Sequence, residues 1–309
     1  MVTGSRYAGL PRGLSLLLLL LSTLFLNSAG CVAPESGLKE QSDSFIVFVS
    51  IPPQAFVVER IGGGLVDVRV LVMPGQEPHT FEPLPKQMTE LAGARLYFKV
   101  GMPFEERLVE KIAAGFHKLK VVDSLKGIEK VELHSNSDGH EEHDPHVWLA
   151  PSMVLIMAAN TAEALSQADP GNKEAYKANL EGLLAELNEV DSAIRERLAP
   201  FKGRAFYVLH SAFGHFAEEY GLRQMAMEAE GKLPSPKRLA SLIGMAREEG
   251  ARAVFVQPQF DRKSAEALAN AIGGEVVVLD PLAGDLCANL VDIAEALAAS
   301  FESQRNGTR

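Results

Sequence analysis

Residues 169–200 read DPGNKEAYKANLEGLLAELNEVDSAIRERLAP, and the architecture turns on this stretch. Asp169 and Pro170 supply an N-cap and a proline suited to the first helical position. Tyr176, Leu180, Leu183, Leu184, Leu187, Val190, Ile194 and Leu198 then recur at spacings of three and four until Pro200 stops the pattern. A helix of about thirty residues runs roughly 45 Å at 1.5 Å per residue. On either side, short β-branched runs alternate with helical patterns. Phe45–Ser50, Val66–Val72, Arg95–Val100 and Leu119–Val122 read as strands before it, and Ala205–Leu209, Gln224–Met227, Ala253–Val256 and Glu275–Leu279 after it. Strands alternating with helices imply parallel sheets covered on both faces. The expected fold is therefore α/β: two lobes, each with a mainly parallel four-stranded sheet flanked by helices, joined by one long rigid connecting helix. The boundaries read as a first lobe over 45–168, the connector over 169–200 and a second lobe over 201–309. A single helical connector restricts the lobes to small relative movements.

The chain has 309 residues, 47% of them hydrophobic and 23% charged, enough to bury cores for two domains. Its formal net charge is −10, and the first thirty residues hold Arg6 and Arg12 with no acid, so the remainder is more acidic still. That argues against nucleic acid as a partner, because phosphate binding needs clustered Lys and Arg. Leu14 to Leu26 form an apolar run of thirteen residues interrupted by Ser15, Ser22 and Thr23. Spanning a bilayer takes roughly twenty apolar residues, so the run suits the core of an export signal over 1–30. It ends in Ser28-Ala29-Gly30-Cys31, which resembles a bacterial lipobox with Ser28 where Leu or Val is usual. The alternative is an ordinary signal peptide with an incidental cysteine. Acylation at Cys31 would tether the protein to a membrane through the polar segment 31–44 without spanning it. The only other cysteine is Cys287, so an acylated Cys31 leaves no intrachain disulfide.

Eight histidines are present: His79, His117, His134, His140, His143, His146, His210 and His215. Three stand out by context. His79 lies in the loop after the second strand, His146 just before a helix, and His210 at the end of the strand Ala205–Leu209. Asp280 ends the strand Glu275–Leu279 in the same manner. In open parallel sheets, ligands bind beyond the carboxyl ends of strands. Two of these four groups belong to each lobe, so a shared ion would sit between the lobes. Three imidazoles and one carboxylate give the four ligands of a closed Zn²⁺ site. Strand-end histidines are also often hydrogen-bonded surface residues, and strand-end aspartates often cap turns. Spacing alone leaves both readings open.

The motifs themselves carry a resemblance. Pro78-His79-Thr80-Phe81-Glu82-Pro83, Asp144-Pro145-His146-Val147-Trp148-Leu149-Ala150-Pro151 and His210-Ser211-Ala212-Phe213-Gly214-His215-Phe216 with Tyr220-Gly221-Leu222 come in order. Pro234-Ser235-Pro236, Val256-Gln257-Pro258-Gln259-Phe260 and Leu279-Asp280-Pro281-Leu282 follow. Together they resemble the solute-binding proteins of bacterial metal ABC importers, the ZnuA- and TroA-like proteins, over essentially everything from Phe45 onward. The resemblance implies an exported, monomeric protein that binds a metal between two lobes and delivers it to an ABC permease. It implies His79, His146, His210 and Asp280 as ligands. Manganese members commonly place a glutamate at the third position. His210 there implies the zinc type, with Mn²⁺ the less favoured cargo, because nitrogen suits Zn²⁺ better. Departures are Glu77 in place of Asp or Asn, Ala150 in place of Asp, and His215 in place of Tyr. His215 reads as a packing or helix-surface residue, and His117 as an ordinary surface residue.

The segment from His134 to Asp144, with His140 and His143, is small, polar and rich in metal-capable groups. It resembles a short form of the His- and acid-rich loop of zinc-specific members. One reading is a weak second site for metal; the other is a solvated acidic loop. Rival functions are a manganese or iron binder of the same family, a zinc-dependent hydrolase and a surface adhesin. A catalytic zinc needs an open coordination position and a nearby base. No nucleophile motif or phosphate loop is visible, and Gly62-Gly63-Gly64 follows a helical stretch rather than a strand. No enzymatic activity is expected.

Overall fold

The computed structural model of the protein describes residues 45–128, 144–227 and 235–306. The export signal, the tether with Cys31, and His134, His140 and His143 lie outside the described residues, so the readings placed on them stand as expectations.

The first four strands are β1 (Ile46–Val49), β2 (Asp67–Val70), β3 (Leu96–Lys99) and β4 (Lys120–Asp123), and the last four are β5 (Ala205–Val208), β6 (Arg223–Ala226), β7 (Ala253–Val256) and β8 (Glu275–Val278). Every expected strand forms, within a residue or two of its expected ends. The sheets share one plan, β2-β1-β3-β4 and β6-β5-β7-β8, with all pairings parallel. The central strands β5 and β7 are buried along their whole length, whereas the edge strands β4 and β8 are exposed at both ends. That is why the central strands read as continuous apolar runs: a parallel strand in mid-sheet has helices on both faces. Because chain order reverses beside β1 and beside β5, each sheet has a crevice at the carboxyl end of its central strands.

The flanking helices are α1 (Pro52–Gly62), α2 (Pro85–Ala92), α3 (Phe104–Gly115) and α4 (Pro151–Ala168), then α5 (Lys173–Leu198), then α6 (Gly214–Tyr220), α7 (Pro236–Glu248), α8 (Arg262–Ile272) and α9 (Leu286–Asn306). The connector is α5. It begins later than expected, because Pro170–Asn172 form a 3-10 turn and Asp169 makes no side-chain cap to the helix backbone. Instead Asp169 Oδ2 accepts from Asn172 Nδ2 and from Tyr176 Oη, each at 2.7 Å. At its other end, Pro200 sits in a second 3-10 turn, Ala199–Phe201, which terminates the helix. The remaining 26 residues still span about 39 Å at 1.5 Å each.

What α5 buries explains why one helix can hold two lobes. It packs on α1 and α4 before it and on α6 and α9 after it. Tyr176, Leu183, Leu187, Ile194 and Leu198 are its buried residues. They join one continuous core that runs from the first sheet, through α5, to α9 and to Phe206, Val208 and Phe255 of the second sheet. The other face of the second sheet, with Tyr207, Val254 and Val256, closes on a separate core with Leu242 of α7 and Leu268 of α8. The alternation of Phe206 and Val208 against Tyr207 is the two-residue period of a strand.

Leu187 is fully buried in the middle of this connector. Leu187→Ala should cost about 2–5 kcal/mol, the range for truncating a well-packed core leucine. Urea unfolding followed by far-UV circular dichroism measures it. One cooperative transition should shift as a whole, since the core is shared; separate unfolding of the two sheets would contradict the shared core.

Candidate metal centre

Three of the four singled-out groups meet between the two sheets. His79 sits in a 3-10 turn, Pro78–Thr80, in the loop leaving β2. The turn is set by Glu77, whose Oε1 accepts from the His79 backbone N–H at 3.0 Å, and by the buried Pro78. Two residues on, Phe81 packs edge-on against Phe104 at the start of α3, with ring centroids 5.0 Å apart. The loop beneath Phe104 is held by the buried carboxylate of Glu105, which accepts from the backbone N–H groups of Val100, Gly101 and Met102.

His146 opens the 3-10 turn Val147–Leu149 that leads into α4. Asp144 Oδ1 accepts from its backbone N–H at 2.9 Å and lies 2.7 Å from its Nδ1. An ionised carboxylate can only accept, so the neutral ring carries its proton on Nδ1 and offers a lone pair at Nε2. His210 follows the end of β5. Gln257 Nε2 donates to its carbonyl at 2.8 Å, and its ring stacks on Phe260 with centroids 4.8 Å apart.

The ring centroids are 5.5 Å apart for His79 and His146, 5.1 Å for His79 and His210, and 5.6 Å for His146 and His210. One nitrogen from each ring lies within 4.8 Å of the others. Among the described residues this is the one such group of His, Cys, Asp or Glu. A tetrahedral zinc with bonds of about 2.0–2.1 Å needs nitrogens about 3.3–3.4 Å apart, so small ring rotations suffice to close on an ion. His79 Nε2 is buried with no hydrogen-bond partner, an arrangement that costs roughly 1–3 kcal/mol unless something occupies the lone pair. The space between the rings, also lined by Glu77, Gln257 and Phe260, admits the centre of a water-sized particle over only about 10 Å³. The donor set and the space fit a small, borderline cation and exclude an organic ligand. A larger cavity of about 240 Å³ lies at the opposite ends of the second sheet's strands. Its polar groups already have partners, Arg223 Nη2 with Glu249 Oε1 at 2.7 Å and Arg204 with Gln304, so chemistry rather than size picks out the histidines.

Electrostatics keeps the His79 imidazole ready. The pKa of His79 falls from 6.5 to about 3, first because burial disfavours the charged form, then because His146 and His210 face it. For Asp144, burial favours the neutral acid, but His146 and His215 around it prevail and hold it below the usual carboxylate range. His215, on α6, is buried and its Nε2–H donates to the Asp144 carbonyl at 3.0 Å. It packs, as expected from the sequence, and is not one of the three clustered rings. Beside it, a Cβ at Gly214 would stand 2.6 Å from Asp144 Oδ2, so no larger residue fits there without displacing the carboxylate.

Asp280 is the exception. It is not part of the cluster. Its Oδ1 accepts from the Leu282 backbone N–H at 2.9 Å and from Gln259 Nε2 at 3.2 Å, which makes it a turn-forming residue after β8. The next carbonyl, of Pro281, accepts from the indole N–H of the fully buried Trp148 at 2.7 Å, tying the His146 turn to the second lobe. Asp144, Gly214, Trp148 and Gln257 had no role in the sequence reading. All four lie inside its quoted motifs, and only contacts between distant motifs give them one.

Comparison with known proteins bears on the family and the fold. The sequence profile of a family described as zinc-uptake complex component A, periplasmic (ZnuA), matches residues 47–302. The high-affinity zinc uptake system protein ZnuA of Bacillus subtilis (strain 168) is 29% identical over 86% of this chain and 88% of its own length. A crystal structure of ZnuA is 40% identical and covers 83% of this chain and 99% of that one, with a TM-score of 0.78. A ZnuA mutant with 138–173 deleted and zinc bound is also 40% identical over 83% of this chain and 98% of that one, with a TM-score of 0.79.

The depressed pKa of His79 has a stability consequence. The unfolded chain takes up this proton near 6.5 and the folded chain only near 3, so the stabilising difference is fully present above 6.5 and is lost as pH falls through that window. Tm of the metal-free protein should therefore drop between pH 6.5 and pH 4, and His79→Gln should flatten part of that slope. Nitrogen chemical shifts of the ring in solution should show it neutral at pH 5; titration near 6.5 in the folded protein would contradict the assignment.

Proposed function

The chain belongs to the ZnuA family of zinc-binding components that serve metal ABC importers outside the cytoplasm, and we propose that it captures Zn²⁺ with His79, His146 and His210. The observation that carries the ligand assignment is the convergence of three imidazole nitrogens within 4.8 Å, two from one lobe and one from the other. Three further features support it. Asp144 fixes the His146 tautomer, as the partner of a metal-bound imidazole should. His79 is neutral, with its Nε2 buried. The donors are nitrogen, which favours Zn²⁺ over Mn²⁺.

Asp280 belongs, on this reading, to the rim rather than to the ligand set. Its turn shapes the second lobe's side of the site, and Trp148 reaches that turn from the first. The protein carries its ion and does not use it for catalysis: the space beside the rings is too small for a substrate, and the Glu77 carboxylate is engaged by the His79 backbone N–H. It works as a monomer, since one chain supplies the whole cluster. No described helix is long and apolar enough to cross a membrane, and Cys31 provides attachment through an acyl group, with 31–44 as the tether. His134, His140 and His143 are candidates for a weaker, accessory metal site, the alternative being a solvated acidic loop.

Zinc affinity measured by competition with a chromophoric chelator tests the site. His79→Ala should weaken binding at least a hundredfold, and Asp144→Ala about 10–100-fold, the usual effect of removing a partner from a ligating histidine. Mn²⁺ should compete poorly. Unchanged affinity in His79→Ala would show the site to be elsewhere. Zinc at 100 times its Kd should raise stability by about 2.7 kcal/mol.

Cys31→Ala tests the anchor separately. The variant should move from the membrane fraction to the soluble fraction or keep its export signal; unchanged membrane association would remove the lipid anchor.

A further inference from the structure

Helix α4 begins directly after the turn that carries His146, and its start lacks an ordinary cap. The N-cap position is Ala150, whose side chain cannot accept a hydrogen bond, and no acidic residue stands in the first turn. The N–H groups of that turn can be accounted for one by one. Pro151, at the first position, has none. Those of Met153 and Val154 reach the Ala150 carbonyl at 2.9 and 3.0 Å. That leaves the N–H of Ser152.

What faces Ser152 comes from the other lobe. Glu219, near the end of α6, accepts from the Ser152 hydroxyl at Oε2, 2.9 Å away. Burial raises the Glu219 pKa, as does the nearby Asp191, while the Ser152 hydroxyl, Arg195 and the Ser152 backbone N–H favour the ionised form. The carboxylate is aimed by the connector. Arg195 of α5 pairs with Glu219 Oε1 at 3.0 Å and donates to the Glu219 carbonyl at 3.2 Å. Arg195 is itself held by Asp191 Oδ2 at 2.8 Å and lies over the Tyr220 ring, 5.3 Å from its centroid. One oxygen of Glu219 thus serves the connector, and the other is directed at the start of α4. Its side chain is only 10% exposed there.

We propose that Glu219 caps α4 across the lobe boundary, in place of a side chain at position 150, and that it is thereby a positioning residue for the His146 turn. A carboxylate at a helix N-terminus satisfies the free N–H and complements the helix dipole. Here that stabilisation exists only while the lobes are apposed. The segment that orients His146 is therefore ordered by the same apposition that brings His210 to it. The consequence for zinc rests on the three-histidine reading above; the cap itself does not.

Restoring a cap within the first lobe tests this. Glu219→Ala should lower the Tm of the metal-free protein by about 2–4 °C, the usual effect of one lost cap in a protein of this size. It should also speed zinc transfer to a chelator about three- to tenfold, less than the loss of Asp144 because Glu219 acts one step further out. Ala150→Ser supplies a small, uncharged cap. In the Glu219→Ala background it should recover most of both losses, and in the parent it should change neither. A Glu219 that merely pairs with Arg195 predicts the same response to Ala150→Ser in both backgrounds, and that result would overturn the proposal. Exchange of the Ser152 amide proton of the unaltered protein at the free-peptide rate would overturn it without any variant. Failure of the three-histidine reading looks different: the parent would bind zinc no better than His79→Ala, while the Tm differences and the Ser152 protection would stand.

Discussion

The Asp144 carboxylate is the point at which the fold and the site become one object. Through Oδ1 it orders both the backbone and the ring of His146; through its backbone carbonyl it is gripped by His215; and its second oxygen rests where only a glycine, Gly214, leaves room. Asp144 belongs to the chain entering α4, whereas Gly214 and His215 open α6 across the boundary between the sheets. A buried carboxylate is costly unless ionised groups or donors surround it. Here the surroundings come from both lobes, so the cost is met only when the lobes are correctly apposed. Trp148, four residues on, reaches the Pro281 carbonyl from the same segment. The segment that carries His146 thus also carries two hydrogen bonds between the lobes.

Given that junction, α5 has a mechanical role. A helix of 26 residues with a shared core on both flanks resists bending, since any bend would open contacts with α4 on one side and α9 on the other. The lobes are therefore held near their working separation before an ion arrives. A neutral His79 can stand beside the other two rings at this spacing without the repulsion that a charged ligand would bring. The burial that makes His79 hard to protonate also keeps its lone pair available.

Much of this was legible in the sequence, for reasons that differ by element. The central strands were readable because burial on both faces leaves an uninterrupted apolar run, and α5 because its buried stripe repeats every three or four residues over seven turns. The start of α5 was misread. Asp169-Pro170 has the composition of a cap, but Tyr176 and Asn172 compete for the carboxylate, and propensity says nothing of such rivals. His79, His146 and His210 stood out because each ends a strand or precedes a helix at a crevice. Asp280 met the same criterion, and its Oδ1 accepts from a backbone N–H two residues on, while no partner is seen for its other oxygen among the described residues. Local pattern does not say which oxygen of such a carboxylate serves its own turn. Gln257 was invisible for a deeper reason: a neutral amide gains its meaning only from which carbonyl captures its nitrogen end.

A carrier must also let go, and the distribution of donors in the proposed site bears on how. His79 and His146 belong to the first lobe and His210 to the second, so ligand geometry depends on the distance between lobes while the tether between them is stiff. Zinc–nitrogen bonds of about 2.0–2.1 Å tolerate little stretching. A relative shift of about 1 Å, well within what a partner could impose at the mouth of the crevice, would leave two ligands where three had been. The stiff connector works in favour of release as well as capture. It stores no large closing motion that would have to be undone; besides the shared core, hydrogen bonds such as His215–Asp144, Trp148–Pro281 and Ser152–Glu219 cross the interface. Tight binding and ready delivery are compatible in this design because the strong bonds lie within the coordination sphere, while the hydrogen bonds next to that sphere across the lobes are ordinary ones, each worth about 0.5–1.5 kcal/mol, and the shared core lies along α5, away from the rings.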